Sequence, residues 1–175
     1  MPKFANFVLF QCVWIVTVLG AAQGVIWPGI ASLAFFLTVH AFLSESARTD
    51  YLVCILAIAL GLVIESINAK TGLIVHPVGD SLFPPLWIII LWCNLGLIFN
   101  NSVSWLLDKP LLAALLGAAG GTVSYIGGVA IGAASFGVPL ETAAPALAIT
   151  WAIVTPLLFY ATRRLNGFMT VKYAG

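Results

Sequence analysis

Charge is what this chain has least of. Its 175 residues hold seven Lys or Arg and six Asp or Glu, 7% of the whole, where a soluble domain carries about 25%. So few charges do not cover a soluble surface. No basic run exists, so nucleic acid is not an expected partner. Cysteine is scarce as well. Cys12, Cys54 and Cys93 are odd in number, lack C-x-x-C spacing and lie in apolar stretches. They read as buried small hydrophobes rather than metal or redox ligands. Familiar catalytic signatures are missing: no H-E-x-x-H, no G-x-S-x-G and no Walker glycine loop. No histidines stand at i, i+4, and the acidic phosphate-metal motif of lipid head-group transferases is absent. No metal and no cofactor is therefore expected.

What the chain has is apolar length, at 62% hydrophobic. Phe4–Ser44, Tyr51–Ile64, Ser81–Leu107, Pro110–Leu140 and Thr142–Thr162 are all free of charge. Each except Tyr51–Ile64 reaches the roughly 20 residues that cross a bilayer as helix. The first, as one helix, would extend roughly 60 Å, twice the hydrocarbon thickness, so it must fold back. Trp27-Pro28-Gly29 supplies the turn: an interfacial aromatic, a helix breaker and a permissive glycine.

The fold class this predicts is all-α membrane. A single domain over residues 1–175 forms a bundle of six transmembrane helices with both termini cytoplasmic. The spans fall near Asn6–Trp27, Ile30–Ser44, Tyr51–Asn68, Pro84–Leu107, Leu111–Phe136 and Ala143–Thr162. Asn68-Ala69-Lys70-Thr71-Gly72 is a polar stop with a C-terminal glycine. Pro84-Pro85 opens span four, where missing N–H groups cost little. Thr155-Pro156 predicts a kink in span six. Orientation comes from Lys and Arg. With the N-terminus inside, Lys3, Arg48, Lys109, Arg163, Arg164 and Lys172 are cytoplasmic and Lys70 alone is outside. A competing reading makes the N-terminus a signal peptide ending at Gly20-Ala21-Ala22-Gln23. Gln11 and the continuation through Val25-Ile26-Trp27 favour a retained span.

Span five carries a stripe of small residues, Gly117, Gly121, Ser124, Gly128 and Gly132. Such a stripe lets two helix backbones approach closely in lipid. The alternative is a discontinuous helix at Gly120-Gly121 or Gly127-Gly128, opening backbone groups to a cavity.

Polar residues inside a membrane are costly and need a reason. By depth they form two layers. The inner candidate site is Asn6, Gln11, His40, Asn100 and Asn101. The outer candidate site is Gln23, Glu65, Asn68, His76 and Asp80. Glu65 stands out, after fourteen uncharged residues and before Lys70. It either snorkels and bonds Asn68 one turn along, or serves binding or proton transfer. His40 is an interhelical hydrogen bonder or a catalyst. Trp14 and Trp92 lie deep enough to line a cavity for an acyl chain or ring.

Pro84-Pro85-Leu86-Trp87, Leu91-Trp92 and Ser102 to Trp105-Leu106 form a recurring-looking set. With them go Leu116-Gly117 to Gly120-Gly121, Ser124-Tyr125, Gly132-Ala133, and Trp151 with Pro156-Leu157-Leu158. Asn6, Gln11, Trp14 and the acid at Glu65 complete it. Over most of its length the chain resembles the bacterial membrane-protein family of unknown function DUF2878. Where that pattern has Gly-Pro in span five, this chain reads Gly121-Thr122. The resemblance carries no activity over. It implies a bacterial inner-membrane location and an association with enzymes that modify membrane fatty acids. The expected function is an accessory protein of membrane lipid metabolism that binds a lipid or acyl chain. Its partners would be membrane lipids, and further a second copy or a membrane enzyme. Two alternatives stand beside it. A small-molecule or proton-coupled transporter needs a water-filled path through Ser124 and Tyr125. A membrane-embedded enzyme needs Glu65, His76 and Asp80 to converge, or His40 to meet Asn100 and Gln11.

Overall fold

A computed structural model describes residues 1–77 and 84–173. Six α-helices run in order among them: α1 (Lys3–Ala22), α2 (Trp27–Leu43), α3 (Ala47–Lys70), α4 (Leu86–Gly96), α5 (Pro110–Ile131) and α6 (Leu140–Tyr173). Helices α1, α3, α5 and α6 are long and apolar enough to cross a membrane. Helices α2 and α4 are shorter apolar helices. Ile15, Phe35, Ile55, Val123 and Ile153 are exposed on the outside of the bundle. An apolar exterior of this kind is suited to lipid as solvent.

Packing is pairwise: α1 on α2, α3 on α4 and α5 on α6, with α1 on α4 and α3 on α6 joining the pairs. A two-residue antiparallel ladder pairs β1 (Ile74–Val75) with β2 (Ser135–Phe136), in register Ile74 to Phe136 and Val75 to Ser135. It ties the chain after α3 to the chain after α5. Lys70 lies at this end of the bundle. At the other end lie Lys3, Arg48, Lys109, Arg163 and Arg164, with Arg163 paired to Asp108 at 3.1 Å.

Several spans differ from expectation. Span four does not run as helix to Leu107. Helix α4 stops at Gly96 after 11 residues, about 16 Å of rise and half a bilayer. The chain then turns through the buried residues Leu97, Ile98 and Phe99 to a short 3-10 turn at Ser104–Leu106. Gly96 is the hinge for a steric reason: a Cβ there would strike the backbone of Cys54 on α3. Broken helix survives at membrane depth only where protein satisfies its backbone. Here Asn6 of α1 does so. Its Nδ2 donates to the Leu97 carbonyl at 3.0 Å, and its Oδ1 accepts from the Ser102 hydroxyl at 2.7 Å and the Ser102 N–H at 3.3 Å. Asn101 Nδ2 donates to the same carbonyl at 3.3 Å.

Helix α5, where a break was a candidate, is continuous. Helix α6 runs past Arg163-Arg164 to Tyr173, with Pro145 and Pro156 inside it. Charge ends a hydrophobic run but does not end a helix. Arg164 Nε donates to the Tyr160 hydroxyl one turn back at 2.9 Å.

The small-residue stripe divides by position. A Cβ on Gly117 would collide with Thr155, and one on Gly121 with the Trp151 ring, both on α6. A Cβ on Gly128 meets nothing within 4 Å. Gly132 is the α5 cap at φ 95°, a left-handed conformation that glycine adopts freely. Gly121→Leu is therefore expected to lower the unfolding midpoint in detergent well below that of Leu112→Ala, since Leu112 is exposed. Gly128→Leu is expected to stay close to wild type. Equal midpoints for Gly121→Leu and Leu112→Ala would show that the α5–α6 contact is dispensable.

Candidate functional site

Two fully buried carboxylates organise the polar interior, and they differ in kind. Asp50, in the first turn of α3, is one. Its Oδ2 accepts from His40 Nε2 at 2.7 Å, Ser46 Oγ at 2.8 Å, Ser44 Oγ at 3.1 Å and Asn101 Nδ2 at 3.1 Å. Its Oδ1 accepts from Asn100 Nδ2 at 2.7 Å, and Asn100 Oδ1 accepts from Asn166 Nδ2 of α6 at 2.7 Å. A carboxylate has about four lone-pair sites, and five donors already converge on this one. The cluster ties α2, α3, α6 and the chain after α4 at one end of the bundle. Asn6, His40, Asn100 and Asn101 thus share one polar region, with Asp50 at its centre. Gln11 does not join it and is exposed on α1. His40 and Asn100 meet through Asp50 rather than directly.

Glu65 is the other, also fully buried, near the far end of α3. Its Oε1 accepts from Trp92 Nε1 at 3.1 Å and from the Tyr125 hydroxyl. Its Oε2 accepts from Asn68 Nδ2 at 3.4 Å. The donors come from α4, α5 and α3 itself. Neither ion pair among the described residues includes Glu65. Its donors are all neutral side chains, whereas Asp50 is bonded to the imidazole of His40.

Glycine places these donors. A Cβ on Gly61, one turn before Glu65, would collide with the Trp92 ring. Its absence lets the indole lie flat on α3 and reach the carboxylate. Trp92 stacks on Trp151 with centroids 5.1 Å apart and planes at 11°, and Trp151 occupies the space left by Gly121. The Trp151 Nε1–H is buried without a partner. Trp14 reaches across from α1 and donates from Nε1 to Ser124 Oγ at 2.8 Å.

A cavity of about 90 Å³ opens between these groups. Trp14, Glu65, Trp87, Trp92, Tyr125 and Trp151 line it, with Gly128 on the α5 side and Ile74 of β1 beside it. Its walls are mainly apolar, with a single acidic residue among them. Along α3 the buried residues between Asp50 and Glu65 are Val53, Cys54, Ala57, Gly61 and Ile64. This stretch of α3 is apolar, while the buried Asn94 of α4 donates to the Phe10 carbonyl at 3.0 Å.

Other outer residues are less engaged. Asn68 is buried and bonded to Glu65, as its spacing suggested. Gln23 is exposed at the C-cap of α1. His76 is half-buried and lies edge-on to Trp87 at 5.6 Å, with neither ring nitrogen partnered. Burial holds its imidazole below the usual histidine pKa and so favours the neutral form. Asp80 lies outside the described residues. Among the described residues, no three of His, Cys, Asp and Glu gather to hold an ion.

An all-helical chain with four membrane-length apolar helices has the construction of a polytopic membrane protein. Its interior holds one saturated carboxylate and one that faces an aromatic cavity. The chain belongs to the family described as protein of unknown function (DUF2878), whose sequence model matches residues 3–157. That match takes in both carboxylates and the lining of the cavity, and stops short of Asn166. No curated protein and no solved structure matches the chain.

Proposed function

We propose that this is a bacterial inner-membrane protein, accessory to membrane lipid metabolism, that holds one end of a lipid in the Glu65 cavity. The observation that carries the reading is an apolar, tryptophan-walled cavity beside one buried carboxylate. Its size refines the expectation of a whole acyl chain. Whole-ligand pockets span roughly 300–1,000 Å³, and 90 Å³ suits the terminal group of a longer molecule. The remainder would leave between helices into the bilayer.

In this reading all six helices reside in the bilayer, with α4 and the buried turn after it acting as one broken pass. Both termini are cytoplasmic, from the six-to-one bias of Lys and Arg. Reporter fusions after Gly175 and in the His76 segment are expected to report inside and outside respectively. An exported C-terminus would overturn the topology.

Lipid binding is tested by mass spectrometry of the purified protein. Wild type is expected to retain a lipid, and Gly128→Leu to lose it at an unchanged unfolding midpoint, because the new side chain enters the cavity. If both proteins retain the same lipid equally, or neither retains any, the reading fails.

A further inference from the structure

We infer that the group held beside Glu65 is an organic ammonium carried on an apolar tail. The inference rests on the lipid-binding reading above and names the chemistry of the end that enters. Glu65 is the one acidic side chain lining the cavity, and no basic side chain lines it. Its three partners, Trp92, Tyr125 and Asn68, are neutral donors. Such donors stabilise a carboxylate but leave its charge uncancelled, and an uncompensated charge is costly to bury. A ligand cation supplies what the protein leaves out.

The walls select for the same sign. Trp14, Trp87 and Tyr125 line the space outside the Trp92–Trp151 stack, whose ring faces lie on each other and on Gly61 and Gly121. Aromatic faces carry negative potential, and their attraction for an alkylammonium strengthens when water is excluded. An anionic head has no basic partner among the lining residues and would meet the carboxylate. Size agrees too. A cavity of about 90 Å³ exceeds several-fold the roughly 10–15 Å³ that admits one water, leaving room for an ammonium and its first carbons. Depth also fits. Glu65 lies five residues before the end of α3 at Lys70, roughly 7–8 Å of helix rise, close to headgroup level. Two sources carry this chemistry: a bilayer lipid with an amine headgroup, or a free amphiphilic amine.

The probe is hexyltrimethylammonium, measured against its uncharged isostere with carbon in place of nitrogen. Binding to the detergent-solubilised protein is followed by tryptophan emission, since four indoles line the cavity. Wild type is expected to prefer the ammonium by about tenfold or more. Glu65→Gln, of the same shape, is expected to lose that preference and bind both probes alike. Gly128→Leu is expected to weaken both. If wild type binds ammonium and isostere equally, the cation inference falls while the apolar-cavity reading stands. If wild type binds neither, both fall. The wild-type comparison decides even if Glu65→Gln does not fold. Nanodiscs assign the source. Competition by an ethanolamine lipid but not a glycerol-headgroup lipid supports a bilayer amine, and competition by neither supports a free amine.

Discussion

Asp50→Ala is expected to cost about 3–5 kcal/mol of stability, the range for removing one partner of a buried charge network. The reason is what remains behind. His40, Ser44, Ser46, Asn100 and Asn101 all donate to this carboxylate. His40, Asp50 and Asn101 are buried, so water does not readily replace the lost acceptor. Asp50→Asn keeps the volume but brings an amide that donates where the site supplies donors, so it is expected to be harmful too, though less so. The unfolding midpoint in detergent, read by circular dichroism, checks both. A midpoint for Asp50→Ala equal to that of wild type would show that the cluster does not hold the helices together.

Gly61→Ala is expected to be costly for a different reason. The added methyl would overlap the Trp92 indole, and overpacking a dense core costs about 1–3 kcal/mol. The displaced ring also loses its bond to Glu65 and its stack on Trp151. One methyl group should therefore lower stability, shift tryptophan emission and impair ligand retention together. Gly120→Ala is the control. A Cβ there meets nothing within 4 Å, and alanine favours helix by up to about 1 kcal/mol. Equal midpoints for the two variants would refute the claim that Gly61 makes room for Trp92.

The sequence carried the helical architecture and part of the site because apolar length and isolated charge are local properties. Glu65 was legible as a lone acid late in an uncharged run. Asn68 was legible at one turn's distance, and Trp14 and Trp92 by depth. Tyr125 was not legible as a partner of Glu65, because nothing local relates residues sixty positions apart. Asp50 was missed altogether. It sits beside Arg48 in a gap between apolar runs, where acids are ordinarily solvated. Ser46 one turn before it, and His40 and Asn100 at matching depth, were the available signal. The break in α4 was hidden for a related reason. Leu86–Leu107 is apolar enough for a full span, and Asn100-Asn101-Ser102 read as depth markers rather than as a turn. The close approach of Gly96 to the Cys54 backbone depends on how α3 packs, which no local pattern shows. Gln11 shows the converse failure: depth was assigned, but its side of the helix was not.

The broken pass has a consequence for biogenesis. Helix α4 is short, and the chain leaves it through Leu97, Ile98 and Phe99 to three consecutive polar residues, Asn100, Asn101 and Ser102. The groups that relieve it, Asn6 on α1 and Asp50 on α3, are encoded upstream. They are already made when α4 arrives. The order of the chain is thus an order of assembly, in which the earlier helices already hold the partners that this segment's buried turn requires.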